Sequence, residues 1–237
     1  MTRRERLNNM LRPVLEFLRV DALSWPGLNG LDRKLARHLP ERGGWFVEAG
    51  ANDGFQQSNT YHLARFQRWR GVLIEPVPHL AAQCRKRRPE SKVHECALGA
   101  PESSGSTAKL RFAGLMTNVC GALGDEITET RRAQAGLAVQ GLPVEPRVVE
   151  VPVRTLTEVL IESGTPSRFD LLSLDVEGHE VEVLKGFDLD RHQARLICIE
   201  SRRTRLEEVR ERLSARYEMK EVLHEASEHG DYLFRLR

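Results

Sequence analysis

The sequence predicts an α/β protein with a mostly parallel sheet, an antiparallel hairpin at one sheet edge, and helices at the N-terminus. Three observations lead there. From Gly44 onward, short apolar runs alternate with helical segments, the pattern of a parallel sheet covered on both faces. The last two strand-like runs follow each other with no helix between them. The chain has 237 residues, 40% of them hydrophobic, enough for one sizeable core.

Residues 1–43 read as an N-terminal helical extension, and residues 44–237 as the α/β domain. In the extension, Leu7, Met10, Leu11, Val14, Leu15 and Leu18 recur at helical spacing. A break at Ser24–Gly30 precedes a second helix over Leu31–Leu39. The first helix is expected to pack on its own domain or on a second copy, a route to a homo-oligomer; attachment to a membrane surface is the alternative. Strand WFVEAG then leads to helix TYHLARFQRW, strand GVLIEP to helix HLAAQCRKRR, and KVHECALG forms a third strand. Strand-then-helix VVEVPVRTLTEVLIESG follows, then strand FDLLSLDVEG, helix HEVEVLKGF and strand RLICIES. Helix RLEEVRERLSARY and strands KEVLHEA and DYLFRLR close the chain. Between them, about 100–147 is an insertion. PESSGSTAKLRF suggests a small hairpin, and the remainder has five glycines, two prolines and no strong periodicity. A long irregular insertion of this kind is expected to act as a lid or substrate-shaping region.

Composition narrows the function. Lys plus Arg is 36 and Asp plus Glu is 34, a formal net charge of +2, which gives no support to a nucleic-acid partner. Cys84, Cys96, Cys120 and Cys198 form no CxxC pair, so a cytoplasmic, reducing location is expected. No run of 18 apolar residues is present to form a transmembrane helix.

Ligands of an open parallel sheet sit beyond the carboxyl ends of its strands. Here those ends carry acids: Glu48 with GANDG after the first, Glu75 after the second, Asp175, Glu177 and His179 after the fourth, and Glu200 after the fifth. The third ends near Cys96 and Ala97. The loop Glu48-x-Gly50-x-x-x-Gly54 lacks the middle glycine of a dinucleotide fingerprint, and its acids would repel a pyrophosphate. Glu75, 25 residues after Gly50, is placed to accept both ribose hydroxyls. A cationic nucleoside without phosphates fits, and S-adenosylmethionine is such a molecule.

VEAGANDGFQQSNTYHL, WRGVLIEPVPHL and FDLLSLDVEGHEVEVLKGF resemble the FkbM family of S-adenosylmethionine-dependent methyltransferases. The resemblance covers roughly residues 44–202. It implies a Rossmann-like, seven-stranded methyltransferase fold and methyl transfer to a hydroxyl oxygen of a small-molecule or glycan acceptor, a carbohydrate or glycosylated natural product. Carried onto this chain, it implies that Glu48, Gly50, Asn52, Asp53 and Gly54 hold the methionine part of the cofactor. Ser58 and Asn59 would close over it, Glu75 would bind the ribose, and Asp175 and Glu177 would face the methyl group. Ala64 stands where the family often has an acid, and Arg87 where it commonly has asparagine, which bears on acceptor recognition.

A hydroxyl acceptor must lose a proton as it attacks. Asp175 and His179 are the candidate bases. Asp175, Glu177 and Glu200 are alternatively a set of oxygen ligands for magnesium or calcium; metal-free catalysis is preferred. His62 reads as sitting on an exposed helix face, and the run RKRRP as a solvated helix end. The rival readings are weaker: DVEG replaces the proline-rich loop of base-nitrogen methyltransferases, and the acid-rich loop disfavours NAD. A non-catalytic scaffold that keeps the fold is the remaining alternative.

Overall fold

The computed structural model describes residues 3–113, 117–120, 126–139 and 147–237. The expected lid at about 100–147 lies partly outside the described residues. In chain order the first elements are α1 (Arg3–Phe17), α2 (Leu31–Ala36), β1 (Trp45–Ala49), α3 (Tyr61–Gln67), β2 (Arg70–Ile74), α4 (Pro78–Arg87) and β3 (Lys92–His94). Next come β4 (Ala97–Leu98), β5 (Thr107–Phe112), β6 (Asn118–Val119), α5 (Glu126–Val139), β7 (Arg147–Arg154) and α6 (Leu156–Glu162). The chain ends with β8 (Arg168–Leu174), α7 (Glu180–Lys185), β9 (Gln193–Arg202), α8 (Leu206–Leu213), β10 (Tyr217–Glu225) and β11 (His229–Leu236).

The main sheet has seven strands in the order β10-β11-β9-β8-β1-β2-β3. From β3 to β9 all neighbours are parallel, and β11 runs antiparallel to both β9 and β10. The α/β class, the mostly parallel sheet and the antiparallel edge hairpin are therefore as the sequence predicts. Alternate residues of the central strands feed two cores. Val47, Val72, Leu172 and Ile197 pack with Leu156, Val159 and Leu184 of α6 and α7. Phe46, Leu73, Leu171 and Leu196 pack with Leu35, Leu63 and Trp69 on the other face. Both faces are covered, which is why these strands read as unbroken apolar runs.

Local signals set the helix starts. Thr155 and Glu158 form a reciprocal capping box at α6, with Glu158 N–H donating to Thr155 Oγ1 at 3.1 Å and Thr155 N–H to Glu158 Oε2 at 2.8 Å. Pro78 opens α4, where its missing N–H costs nothing.

Four sequence expectations change. KVHECALG is split: β3 ends the main sheet, whereas β4 joins a second sheet of order β4-β7-β5-β6. The hairpin expected within PESSGSTAKLRF is a single strand, β5, paired antiparallel with the distant β7. A helix, α5, stands where no periodicity was legible. His62 is buried rather than exposed, because Trp25 of the N-terminal segment stacks on its ring at 3.5 Å and Asp21 Oδ2 lies 3.0 Å from Nε2.

Candidate active site

The carboxyl ends of β1, β2 and β8 converge, and Gly50 makes the convergence possible. Its N–H donates to the Ile74 carbonyl at 3.0 Å, and its φ is +83°. A Cβ added there would sit 1.8 Å from the carbonyl oxygen of Asp175. Gly50→Ala therefore combines a left-handed backbone with a backbone clash, and should destabilise the protein by about 2–4 kcal/mol in a urea titration. A midpoint within error of wild type would contradict this close approach.

Beyond Gly50 the loop wraps around the carboxylate of Glu75. Asn52 N–H donates to Oε2 at 2.8 Å and Val77 N–H to Oε1 at 2.9 Å. Glu75 is 5% exposed, and burial pushes its carboxyl up to about 7 despite both backbone donors.

Five of the expected cofactor residues build this loop from behind. Glu48 accepts from Ser58 Oγ at 2.9 Å, Asn59 N–H at 2.7 Å and Thr60 Oγ1 at 2.6 Å. Asn59 Nδ2 donates to Ser173 Oγ at 3.0 Å, tying the loop to β8. Arg88, expected at a solvated helix end, is 1% exposed; its Nη1 lies 3.9 Å from Glu48 and its Nη2 donates to Thr60 Oγ1 at 3.2 Å. Asp53 receives the N–H groups of Phe55 at 2.9 Å and Gln56 at 2.7 Å, and pairs with Arg87. Gly54, φ +79°, packs against Cys84.

The end of β8 supplies the other wall. Asp175 N–H donates to the Ala49 carbonyl at 3.1 Å. The Asp175 side chain is half-buried; its Oδ1 is sealed from solvent and has no hydrogen-bond partner among the described residues. Burial, reinforced by Glu200, Glu177, Glu180 and Asp231, pushes its carboxyl well above the ordinary range. Glu200 and Asp231 are register partners on β9 and β11. Glu180, the buried first residue of α7, receives Gly178 N–H at 2.8 Å and Val176 N–H at 3.3 Å and so holds the turn that leads into the helix. Glu177, with φ +55°, lines the cleft. His179 sits at the N-cap of α7, and burial lowers its pKa below 6.5, so the imidazole is neutral at pH 7.

These ends enclose a cleft of roughly 850 Å³ of atom-free space, part of it open to solvent. Gly50, Asn52, Glu75, Cys96, Ala97, Asp175, Glu177 and His179 all line it, so eight of the thirteen sequence-selected residues meet there. Glu48, Asp53, Gly54, Ser58 and Asn59 are not among its lining residues. Sequence reasoning missed Gln56 and Gln57, adjacent amides whose only signal was their polarity inside the glycine loop. It also missed Leu110 and Thr117, which reach the cleft from the irregular region. Among the described residues no group of three or more His, Cys, Asp or Glu side chains is arranged to hold a metal ion, the set Asp175, Glu177 and Glu200 included.

An open parallel sheet with an acid-lined cleft beyond its central strands defines a doubly wound α/β protein, the architecture in which ligands sit beyond the carboxyl ends of the strands. The family model of the methyltransferase FkbM domain matches residues 48–233, and the chain belongs to this family of S-adenosylmethionine-dependent methyltransferases. Methyltransferase 1 of Beauveria bassiana (strain ARSEF 2860) is 26% identical over 153 residues, a match spanning 62% of this chain and 59% of that relative's length. Among solved structures, the chain is similar to a TehB-like SAM-dependent methyltransferase from Corynebacterium glutamicum ATCC 13032 Kitasato. That similarity has a TM-score of 0.46 and 13% identity, and covers 98% of this chain and 97% of the other. It is also similar to M. capricolum TrmK in complex with S-adenosylhomocysteine, with a TM-score of 0.42 and 10% identity over 87% of this chain and 67% of the other.

Proposed function

We propose that this protein transfers the methyl group of S-adenosylmethionine to a hydroxyl oxygen of a carbohydrate or glycosylated metabolite. The observation that carries the reading is that Glu75 and Asp175, from the ends of two different strands, border one cleft. Glu75 would take the ribose hydroxyls on its two carboxylate oxygens. Apolar Ile74, Pro76, Leu80 and Leu98 offer a surface for the adenine. Asp175, Glu177 and Glu75 make the cleft acidic, which suits a cation, and a sealed, unpartnered Asp175 Oδ1 is the kind of atom a bound positive charge would satisfy. When bound, the cofactor supplies a methyl carbon already activated by sulfonium.

Asp175 would receive the proton of the attacking hydroxyl. Burial, reinforced by its acidic neighbours, favours the protonated form; positive charge beside the cluster favours the carboxylate. His179, neutral at pH 7, is the alternative proton acceptor. Gln56, Gln57, Thr117 and Glu177 give the cleft the hydrogen-bonding groups that a polyhydroxylated acceptor needs. Incubation with methyl-labelled cofactor and a panel of sugars tests the reading. It predicts label held in a methyl ether, stable to mild base. Base-labile label, or label on nitrogen, would replace the hydroxyl with another acceptor.

A further inference from the structure

Helix α1 is amphipathic in the reverse sense: polar side chains hold it to the protein, and apolar ones point away. Glu16, 7% exposed, accepts from Ser24 Oγ at 2.8 Å, Tyr61 Oη at 2.8 Å and Arg65 Nε at 2.9 Å. The Arg12 guanidinium lies 3.5 Å from the centre of the Phe55 ring. Leu7, Met10, Leu11, Val14, Phe17 and Leu18 are all exposed; Met10 is 74% and Phe17 83% accessible. A water-facing helix ordinarily does the opposite. A contiguous apolar stripe on a surface marks a contact with something else.

The charge of the same segment says what. Residues 1–20 hold Arg3, Arg4, Arg6, Arg12 and Arg19 against Glu5 and Glu16. Glu16 is buried and Arg12 lies 3.8 Å from it, so these two offset each other and four arginines remain against one glutamate. An apolar stripe on a helix rich in arginine matches a surface that is apolar inside and negative outside. A second copy of the chain matches it less well, since a two-fold contact would set the same excess of arginines against itself.

We propose that α1 docks this protein on an anionic lipid bilayer, its axis in the headgroup plane. The inference is independent of the proposed reaction. It has a bearing on the cleft, because the helix rests on Phe55 and the following segment bridges to the glycine loop, Gly27 pairing with the cleft residue Gln57.

Cosedimentation of the full chain with phosphatidylcholine vesicles, with and without phosphatidylserine, tests this, with light scattering for oligomeric state. Binding is expected to vesicles containing phosphatidylserine, to weaken in high salt, and to fall by about tenfold or more in Met10→Ser/Phe17→Ser. Both side chains are exposed, so the variant should keep the wild-type circular dichroism and melting temperature. Equal binding to neutral and anionic vesicles, no binding to either, or a concentration-dependent dimer abolished by the same substitutions would each overturn the assignment.

Discussion

Asp175→Asn is expected to bind S-adenosylhomocysteine within a few-fold of wild type and to lose turnover by about 10²–10⁴-fold, the range associated with a positioned proton acceptor. Asparagine keeps the shape and the polarity of the position but cannot take a proton. His179→Ala should cost less than about tenfold; the reverse ranking would make His179 the base. The same substitution has a stability signature. The folded-state pKa of Asp175 is raised, so its contribution to stability is fully present below the ordinary carboxylate value and is lost as pH rises through the folded value. At pH 8 the wild-type protein carries that cost and the asparagine variant does not. The melting temperature of Asp175→Asn should therefore exceed that of wild type at pH 8, with the gap closing at pH 4. A variant that gains stability while losing turnover is what a strained functional group predicts.

Glu75→Ala should weaken binding of S-adenosylhomocysteine by about 10²-fold or more, since two charge-assisted hydrogen bonds are lost. Here pH is informative about affinity. Glu75 rises from 4.5 to about 7, so roughly 3 kcal/mol of folding stability present at low pH is lost once pH passes 7. If the carboxylate receives the ribose, a proton on Glu75 competes with the ligand. Wild-type affinity should drop by about tenfold between pH 8 and pH 6, while Glu75→Ala stays flat. A pH-independent wild-type affinity would remove Glu75 from the ribose site.

Much of this was legible from local pattern. β1, β2, β8 and β9 are buried on both faces and read as apolar runs, and the acids at their ends mark where the runs meet water. Other features depend on contacts distant in sequence. Arg88 looks like one more basic residue at a helix end; its burial rests on Glu48 and Thr60, far earlier in the chain. His62 is covered by Trp25, which no helical periodicity announces. The described buried side chains of α5, Ala133 and Leu137, form a small cluster with Ala113, too slight to print a stripe on the sequence. At the site, the sequence brought out acids without separating those that line the cleft from those that hold the loop. Glu48 and Glu75 end neighbouring strands, yet Glu48 is enclosed by Ser58, Asn59 and Thr60 while Glu75 borders the cleft. That division is set by the path of residues 50–60, which rests on the left-handed Gly50, Asn52, Gly54 and Gln57.

The most direct test of the central claim is a calorimetric titration of S-adenosylhomocysteine into the full chain at pH 8, with NAD and the Glu75→Ala variant as controls. The proposed site predicts saturable one-to-one binding, lost in the variant and absent for NAD. A folded protein that ignores S-adenosylhomocysteine, or a variant that binds it as well as wild type, would contradict it.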